Sequence, residues 1–449
     1  MGKDGGKKIP RLVVMLGIVS LLTDVASEMI YPLVPVFVSL LGSGALILGV
    51  IEGVAETTAA MLKLAGGIIS DRIGKRKILV LAGYTLSSLV RPLTGLVSAA
   101  WQIVVIRMTD RVGKGIRTAP RDALIASSAD GSIRGKAYGF DRAMDHAGAV
   151  AGPLLAIITL LLLFLVFGIR EPLNALRWTF LLAVIPGLLT IITIILFIHE
   201  PEQAGGNRTT FVVNLRNFDR NFRNYLIIMI LFTLGNSSDA FLLYRVQEAI
   251  HQSGAVSKIV NSYEPLRLMI SSFGDAGTQE SVVNILFLPL VWAFFHIIKV
   301  IFSTPLGALS DRIGRKAVIT AGWAVYAFVY FAFALLVFLP PMVQLAATFA
   351  LFAIYALYYA FCEGAEKAFV ADLTSAERRG TAFGLYNFSI GLGALPASLI
   401  FGFLYTWFDR IIPGCGGTVA FGFGGAMALL SVVLLRLRVR EPAERLRNG

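Results

Sequence analysis

Asp24 and Glu28 stand four residues apart inside an apolar stretch that runs from Leu12 to Leu41. That spacing puts both carboxylates on one face of a helix. An ionised carboxylate in such a stretch needs a water-filled cavity or a cation, because low-dielectric surroundings penalise its charge. A carboxylate that loses its cation there takes up a proton instead. Arg107 and Arg111, also four apart in an apolar run, are the natural cations. The chemistry this predicts is proton coupling. Asp24 or Glu28 stays ionised beside Arg107 or Arg111, and is protonated when a solute or a motion draws the guanidinium away. A fixed ion pair is the structural alternative for the same residues. Glu56, Asp145 and Asp239 are the next carboxylates in apolar surroundings and the next candidates for the proton.

Other charges suggest scaffolding. Glu52 shares a face with Glu56 but lies near a helix end, where solvation in a cavity mouth is expected. Asp110, Lys114, Arg117 and Arg121 form one continuous helical face, and Asp141, Asp145 and His146 stand in the next apolar run. Arg117, Arg121, Asp122, Asp141 and Arg142 read as a charge-zipped helix pair. His296 and Lys299 are three apart on one face, where a satisfied polar contact is the expectation for the histidine. Tyr355, Tyr358 and Tyr359 are candidates for a solute pocket. The four His are scattered and the two Cys, Cys362 and Cys415, are isolated, so neither a metal site nor a disulfide is expected. Gly113-Lys114-Gly115 lacks the spacing of a phosphate loop. Without a nucleotide motif or a catalytic constellation, the chain is not expected to be an enzyme or to need a cofactor, and a proton gradient is the expected energy source.

The elements that hold these residues are membrane helices. The chain has 449 residues, 56% hydrophobic and 15% charged, against about 25% charged in soluble domains. Its apolar runs reach the roughly 20 residues that cross a hydrocarbon core of about 30 Å. Spans are predicted at 12–41, 46–70, 78–97, 99–121, 136–167 and 176–198, then at 224–249, 282–306, 317–339, 343–371, 381–407 and 417–437. Pro32 and Pro35 are expected to kink the first. This is an all-α membrane protein of twelve transmembrane helices in two pseudo-symmetric six-helix bundles, 1–198 and 224–449, joined by a link at 199–223. The net charge of +12 reflects Lys and Arg gathered in the loops of one side rather than a nucleic-acid partner. By the positive-inside rule that side is cytoplasmic, with both termini and the 199–223 link. The long loop 250–281 then lies outside, and the sequon Asn207-Arg-Thr209 falls in the cytoplasm.

The halves are repeats. Gly67-Ile-Ile-Ser-Asp71-Arg72-Ile-Gly74-Lys75-Arg76 recurs 240 positions later as Gly307-Ala-Leu-Ser-Asp311-Arg312-Ile-Gly314-Arg315-Lys316, and Arg134 to Gly139 recurs 245 positions later as Arg379 to Gly384. Two landmarks at nearly one offset indicate a duplication. The doubled loop resembles the signature of the major facilitator superfamily, and the resemblance covers nearly the whole chain. It implies that Asp71 and Asp311 meet a helix N-terminus, where the macrodipole is positive, and hold the outward-open state. Gly74 and Gly314 would permit the tight turns. Gly148, Gly152 and Pro153 resemble the fifth-helix motif of the superfamily's antiporters, although Leu154 and Leu155 depart from its trailing glycines.

The function this implies is secondary transport by rocking of the two bundles about a midplane site. The expected sense is proton-coupled efflux of a small organic solute or drug by antiport. Proton-coupled uptake of a metabolite by symport is the alternative, and a transporter-like sensor is the alternative from another class. The expected setting is the bacterial or archaeal cytoplasmic membrane, where the chain acts as a multi-pass monomer with the lipid bilayer, protons and a small molecule as partners.

Overall fold

A computed structural model describes residues 9–73, 76–128, 134–199, 218–253, 262–273, 275–374 and 379–441. Among the described residues there are sixteen α-helices and no β-strand, arranged as twelve spanning units and one short connecting helix. The first unit is α1 (Arg11–Glu28) and α2 (Val34–Leu40), followed by α3 (Ala45–Ile73), α4 (Arg76–Val90), α5 (Ala100–Ser128) and α6 (Arg134–Leu165). The sixth unit is α7 (Pro172–Leu182) with α8 (Val184–Phe197), and the seventh is α9 (Arg220–Gly235) with α10 (Ala240–Ser253). The short α11 (Glu264–Ser271) precedes α12 (Ala276–Ile313), α13 (Arg315–Leu335), α14 (Pro341–Asp372), α15 (Arg379–Ile411) and α16 (Gly416–Arg438). Eleven units are long and apolar enough to cross a membrane. The twelfth, α5, has 29 residues, ample length at about 1.5 Å each, but its charges keep it out of that set.

The first, sixth and seventh units are each interrupted, the sixth at Ala183 alone, and the sequence explains the breaks in the first and the seventh. Pro32 and Pro35 have no N–H to return to Glu28 and Tyr31, so α1 stops at Glu28 and a 3-10 turn at Tyr31–Leu33 leads into α2. In the seventh unit Asn236, Ser237, Ser238 and Asp239 interrupt the helix after Gly235, residues whose short side chains compete for backbone hydrogen bonds. Backbone freed inside a membrane needs internal partners. The Tyr326 hydroxyl donates to the Gly235 carbonyl at 3.0 Å, and the Ala240 N–H donates to Ser238 Oγ at 3.3 Å. Neither the interruption at 236–239 nor a helix within loop 250–281 was expected from sequence; α11 and the first turn of α12 occupy part of that loop.

Each half repeats one packing scheme. Its first unit packs on its fifth and sixth, its second on its fourth, and its third on its fourth and sixth. The halves meet through α3 against α15 and α6 against α12. Small residues allow the first of these approaches. A Cβ on Gly49 would lie 2.4 Å from the Ser398 carbonyl oxygen, and one on Gly391 would lie 2.2 Å from Ala60 Cβ. Leu162, Phe167, Ile192, Phe328 and Leu430 face outward as an apolar belt suited to lipid. With twelve spanning units, the N-terminus of α1 and the C-terminus of α16 lie at one face, called here the terminal face. At the opposite end Arg170 of the first half donates to the Ser272 carbonyl of the second at 2.8 Å, and its guanidinium lies 5.3 Å from the Phe273 ring centre.

Candidate functional site

Among the described residues, two cavities are lined by both halves. The first, about 330 Å³, is bounded by Tyr31, Glu52, Glu56, Asp239 and Tyr359 together with the break in the seventh unit. Arg107 on α5 donates to Glu52 on α3 at 2.9 Å, and the Ser238 hydroxyl, from the other half, donates to the second Glu52 oxygen at 3.1 Å. Tyr31 lies within 3.3 Å of Ser238 Oγ. A buried ion pair and a polar gap in a helix thus join the halves at mid-depth. Asp239 accepts from Tyr355 at 2.5 Å and from Tyr359 at 3.0 Å.

The second cavity, about 350 Å³, is walled by residues in the parts of α1, α5, α6, α12 and α14 nearer the terminal face. Asp24 and Glu28 both line it, as their spacing predicts. Glu28 accepts from the Trp292 indole of the other half at 2.7 Å. The Asp24 carboxylate has no hydrogen bond or ion pair among the described residues. Glycines bring its helix there: a Cβ on Gly148 would lie 2.5 Å from the Leu21 carbonyl oxygen and 2.8 Å from Asp24 Cβ, and one on Gly152 would lie 2.7 Å from Glu28 Cβ. Pro153 follows inside α6. The fifth-helix motif is therefore the surface on which both carboxylates are mounted.

The arginines depart from expectation. Arg107 pairs with Glu52, and Arg111 pairs with Glu56 at 3.1 Å, rather than with Asp24 or Glu28. The reason is geometric: α3 is packed along α5, whereas α1 meets α5 only over a short stretch. Glu52, expected to be solvated, is buried. Asp145 is engaged by Arg142 at 3.2 Å and Arg121 at 3.7 Å, and Arg121 also reaches Asp141 at 3.3 Å. Arg117 leaves that group, donating to Ser87 at 2.5 Å and covering the Tyr84 ring at 4.3 Å.

Sequence reasoning passed over Arg91, which binds Asp110 at 2.7 Å and the Thr23 carbonyl at 3.2 Å, tying three helices together. A lone charge ahead of Pro92 in an apolar run was the available signal. Trp292 and Ser238 gave none, since one indole among many aromatics and one serine of a pair are ordinary.

In the doubled loop, Gly74 and Lys75 lie outside the described residues, as do the side chains of Gly67, Asp71, Arg72, Gly307, Asp311 and Arg312. Arg76 starts α4. Gly314 turns with φ +95°, a conformation that favours glycine. The backbone N–H of Arg315 donates to the Glu441 carboxylate at 2.6 Å, and Lys316 Nζ donates to the Arg436 carbonyl at 3.0 Å. Glu441, from beyond α16, thus caps the start of α13.

The profile of the Major Facilitator Superfamily matches residues 16–259 and 249–449. An uncharacterized MFS-type transporter of Methanocaldococcus jannaschii is 34% identical over 432 residues, 96% of each chain. The multidrug resistance protein MdtG of Citrobacter koseri is 29% identical over 155 residues, 34% of this chain and 38% of that one. Among solved structures, the nucleoside transporter NupG superposes with a TM-score of 0.71 at 12% identity, covering 95% of this chain and 98% of the other. A D-xylose-proton symporter superposes with a TM-score of 0.67 at 16% identity, covering 96% and 98%. Likeness at such identities shows the fold alone. The full-length sequence matches carry the family: this chain is a multi-pass membrane transporter, not an enzyme, and belongs to the major facilitator superfamily.

Proposed function

We propose that this chain moves a small organic solute by proton-coupled alternating access, with Asp24 carrying the coupling proton. The observation that carries the reading is the Asp24 carboxylate, which lines an internal cavity and makes no hydrogen bond or ion pair among the described residues. A charge so placed responds to what enters the cavity, whereas Asp145, Glu52 and Glu56 are already held by guanidinium groups. Glu28, tied to Trp292 across the halves, couples that face of α1 to their relative position. Asp71 and Asp311 act as state-specific contacts of the doubled loop. The Lys and Arg distribution supports a topology with both termini and 199–223 in the cytoplasm and 250–281 outside, and a monomer in the plasma membrane belongs to the same reading.

Export in exchange for protons is supported by the glycines at 148 and 152, Pro153 and the partial likeness to MdtG. Transport of solute and proton together is the second reading, favoured by the cationic side chains in the wall of the second cavity. The test of the common claim uses proteoliposomes, an imposed pH gradient and a solute selected by thermal stabilisation. Asp24→Asn should stop accumulation while leaving solute counterflow without a gradient. Accumulation at the wild-type rate would move the proton site elsewhere, first to Glu28.

A further inference from the structure

Six cationic side chains line the second cavity: Lys114, Arg117, Arg121, Arg142, Lys299 and Lys367. Four carboxylates face them: Asp24, Glu28, Asp145 and Glu363. The carboxylates are unevenly used. Arg121 is met by Asp122, Asp141 and Asp145, Asp145 also serves Arg142, and Glu363 serves Lys299 at 3.4 Å. Glu28 is turned to a neutral indole donor. Arg117, with only 7% of its surface exposed, is held by a hydroxyl and an aromatic ring and by no carboxylate among the described residues. A buried guanidinium without a carboxylate is costly inside a membrane until an anion joins it.

His296 supplies an independent pointer. It lines the same cavity and is 8% exposed. Its ring is fixed edge-on between Trp292, at 4.9 Å, and Phe295, at 5.0 Å. Neither ring nitrogen has a hydrogen-bond partner among the described residues. A neutral imidazole carries one donor and one acceptor, and burying both unmade costs stability. A residue held rigidly with its polar atoms unsatisfied, in a cavity wall, is arranged for something that enters. Lys299, one turn along α12, presents an ammonium on the same face.

We propose that this cavity binds a small organic anion, a carboxylate or phosphate monoester, through a hydrogen bond from His296 and the charges of Lys299 and Arg117. The volume of about 350 Å³ suits a solute of modest size. The proposal rests on the transport reading above and names its substrate class. It also bears on the sense of coupling. A proton on Asp24 removes a negative charge from the anion's surroundings, so anion and proton favour each other's binding, which supports the second reading, transport of both in one direction, over exchange. Exchange would require them to compete.

The test is equilibrium binding to the purified full chain, with benzoate and phenyl phosphate as anions, benzamide as the neutral isostere and benzylammonium as the cation. At least one anion should bind, with benzamide and benzylammonium at least tenfold weaker. His296→Phe, which keeps the ring packing and removes the donor, should weaken the anion at least tenfold. Asp24→Asn should bind it as tightly as wild type or more tightly. If His296→Phe does not fold, Lys299→Gln should show the same loss. Binding of neither anion, equal binding of benzylammonium, or anion affinity unchanged in the folded His296 or Lys299 variant would overturn the proposal. None of these binding results depends on whether Asp24 drives accumulation, so the two readings fail separately.

Discussion

Removing the buried pair between Glu52 and Arg107 is the sharpest perturbation of the contact that joins the halves. The two side chains are 1% and 7% exposed, and their atoms approach to 2.9 Å. Among the described residues, Glu52→Leu leaves the Arg107 guanidinium with no paired carboxylate, and Arg107→Met leaves a carboxylate supported by Ser238 alone. Breaking one partner of such a pair costs about 3–5 kcal/mol, while replacing both by apolar groups is often near neutral. The two single variants should therefore lose about 3 kcal/mol or more each, and Glu52→Leu with Arg107→Met should recover most of it. The assay is unfolding by sodium dodecyl sulfate titration in mixed micelles, read as a double-mutant cycle. Ser238→Ala tests the reach of the pair across the halves: it should lose about 0.5–1.5 kcal/mol in wild type and nothing in the Glu52→Leu background. A coupling energy below about 1 kcal/mol between residues 52 and 107, or a Ser238→Ala effect that persists without Glu52, would refute the reasoning.

Gly148→Ala and Gly152→Ala should each cost about 1–3 kcal/mol by overpacking and slow transport, because a methyl group there meets α1 at under 3 Å; wild-type melting and rate in both would show that α1 and α6 do not meet at these glycines. Cysteines placed at positions 207 and 275 in a cysteine-free background should label from opposite sides of the membrane, and labelling from one side would sink the topology. Asp275 caps α12 within the 250–281 segment, accepting from the Thr278 hydroxyl at 2.7 Å and its N–H at 3.1 Å, bonds that hold its carboxyl below the ordinary range. With the folded value depressed, the cap's contribution is complete above the unfolded-state pKa and is lost as pH falls through the folded one. Hydrogen exchange of the first turn of α12 should therefore rise on acidification in wild type relative to Asp275→Ala, and parallel pH profiles would exclude the cap.

The sequence by itself determined the membrane class, the twelve units, the duplication and the family, because long apolar runs and a doubled loop are local or periodic signals. It also set Asp24 and Glu28 on one face, since helical spacing is a property of one chain segment. Pro32 and Pro35 announced the break in the first unit through their missing N–H groups. Partner choice was decided elsewhere. Arg107 and Arg111 had several acidic helix faces within plausible reach, and only the packing of α3 along α5 assigned them to Glu52 and Glu56. Trp292 reaches Glu28, and Ser238 reaches Glu52, across a boundary between halves more than 180 residues apart in the chain. His296 read as an ordinary satisfied polar residue until its surroundings proved to hold no partner for either nitrogen among the described residues. Spacing fixes which side chains share a face, but whether a charge in a membrane is neutralised or left waiting depends on what the opposing helix presents, and that is settled only when the helices pack.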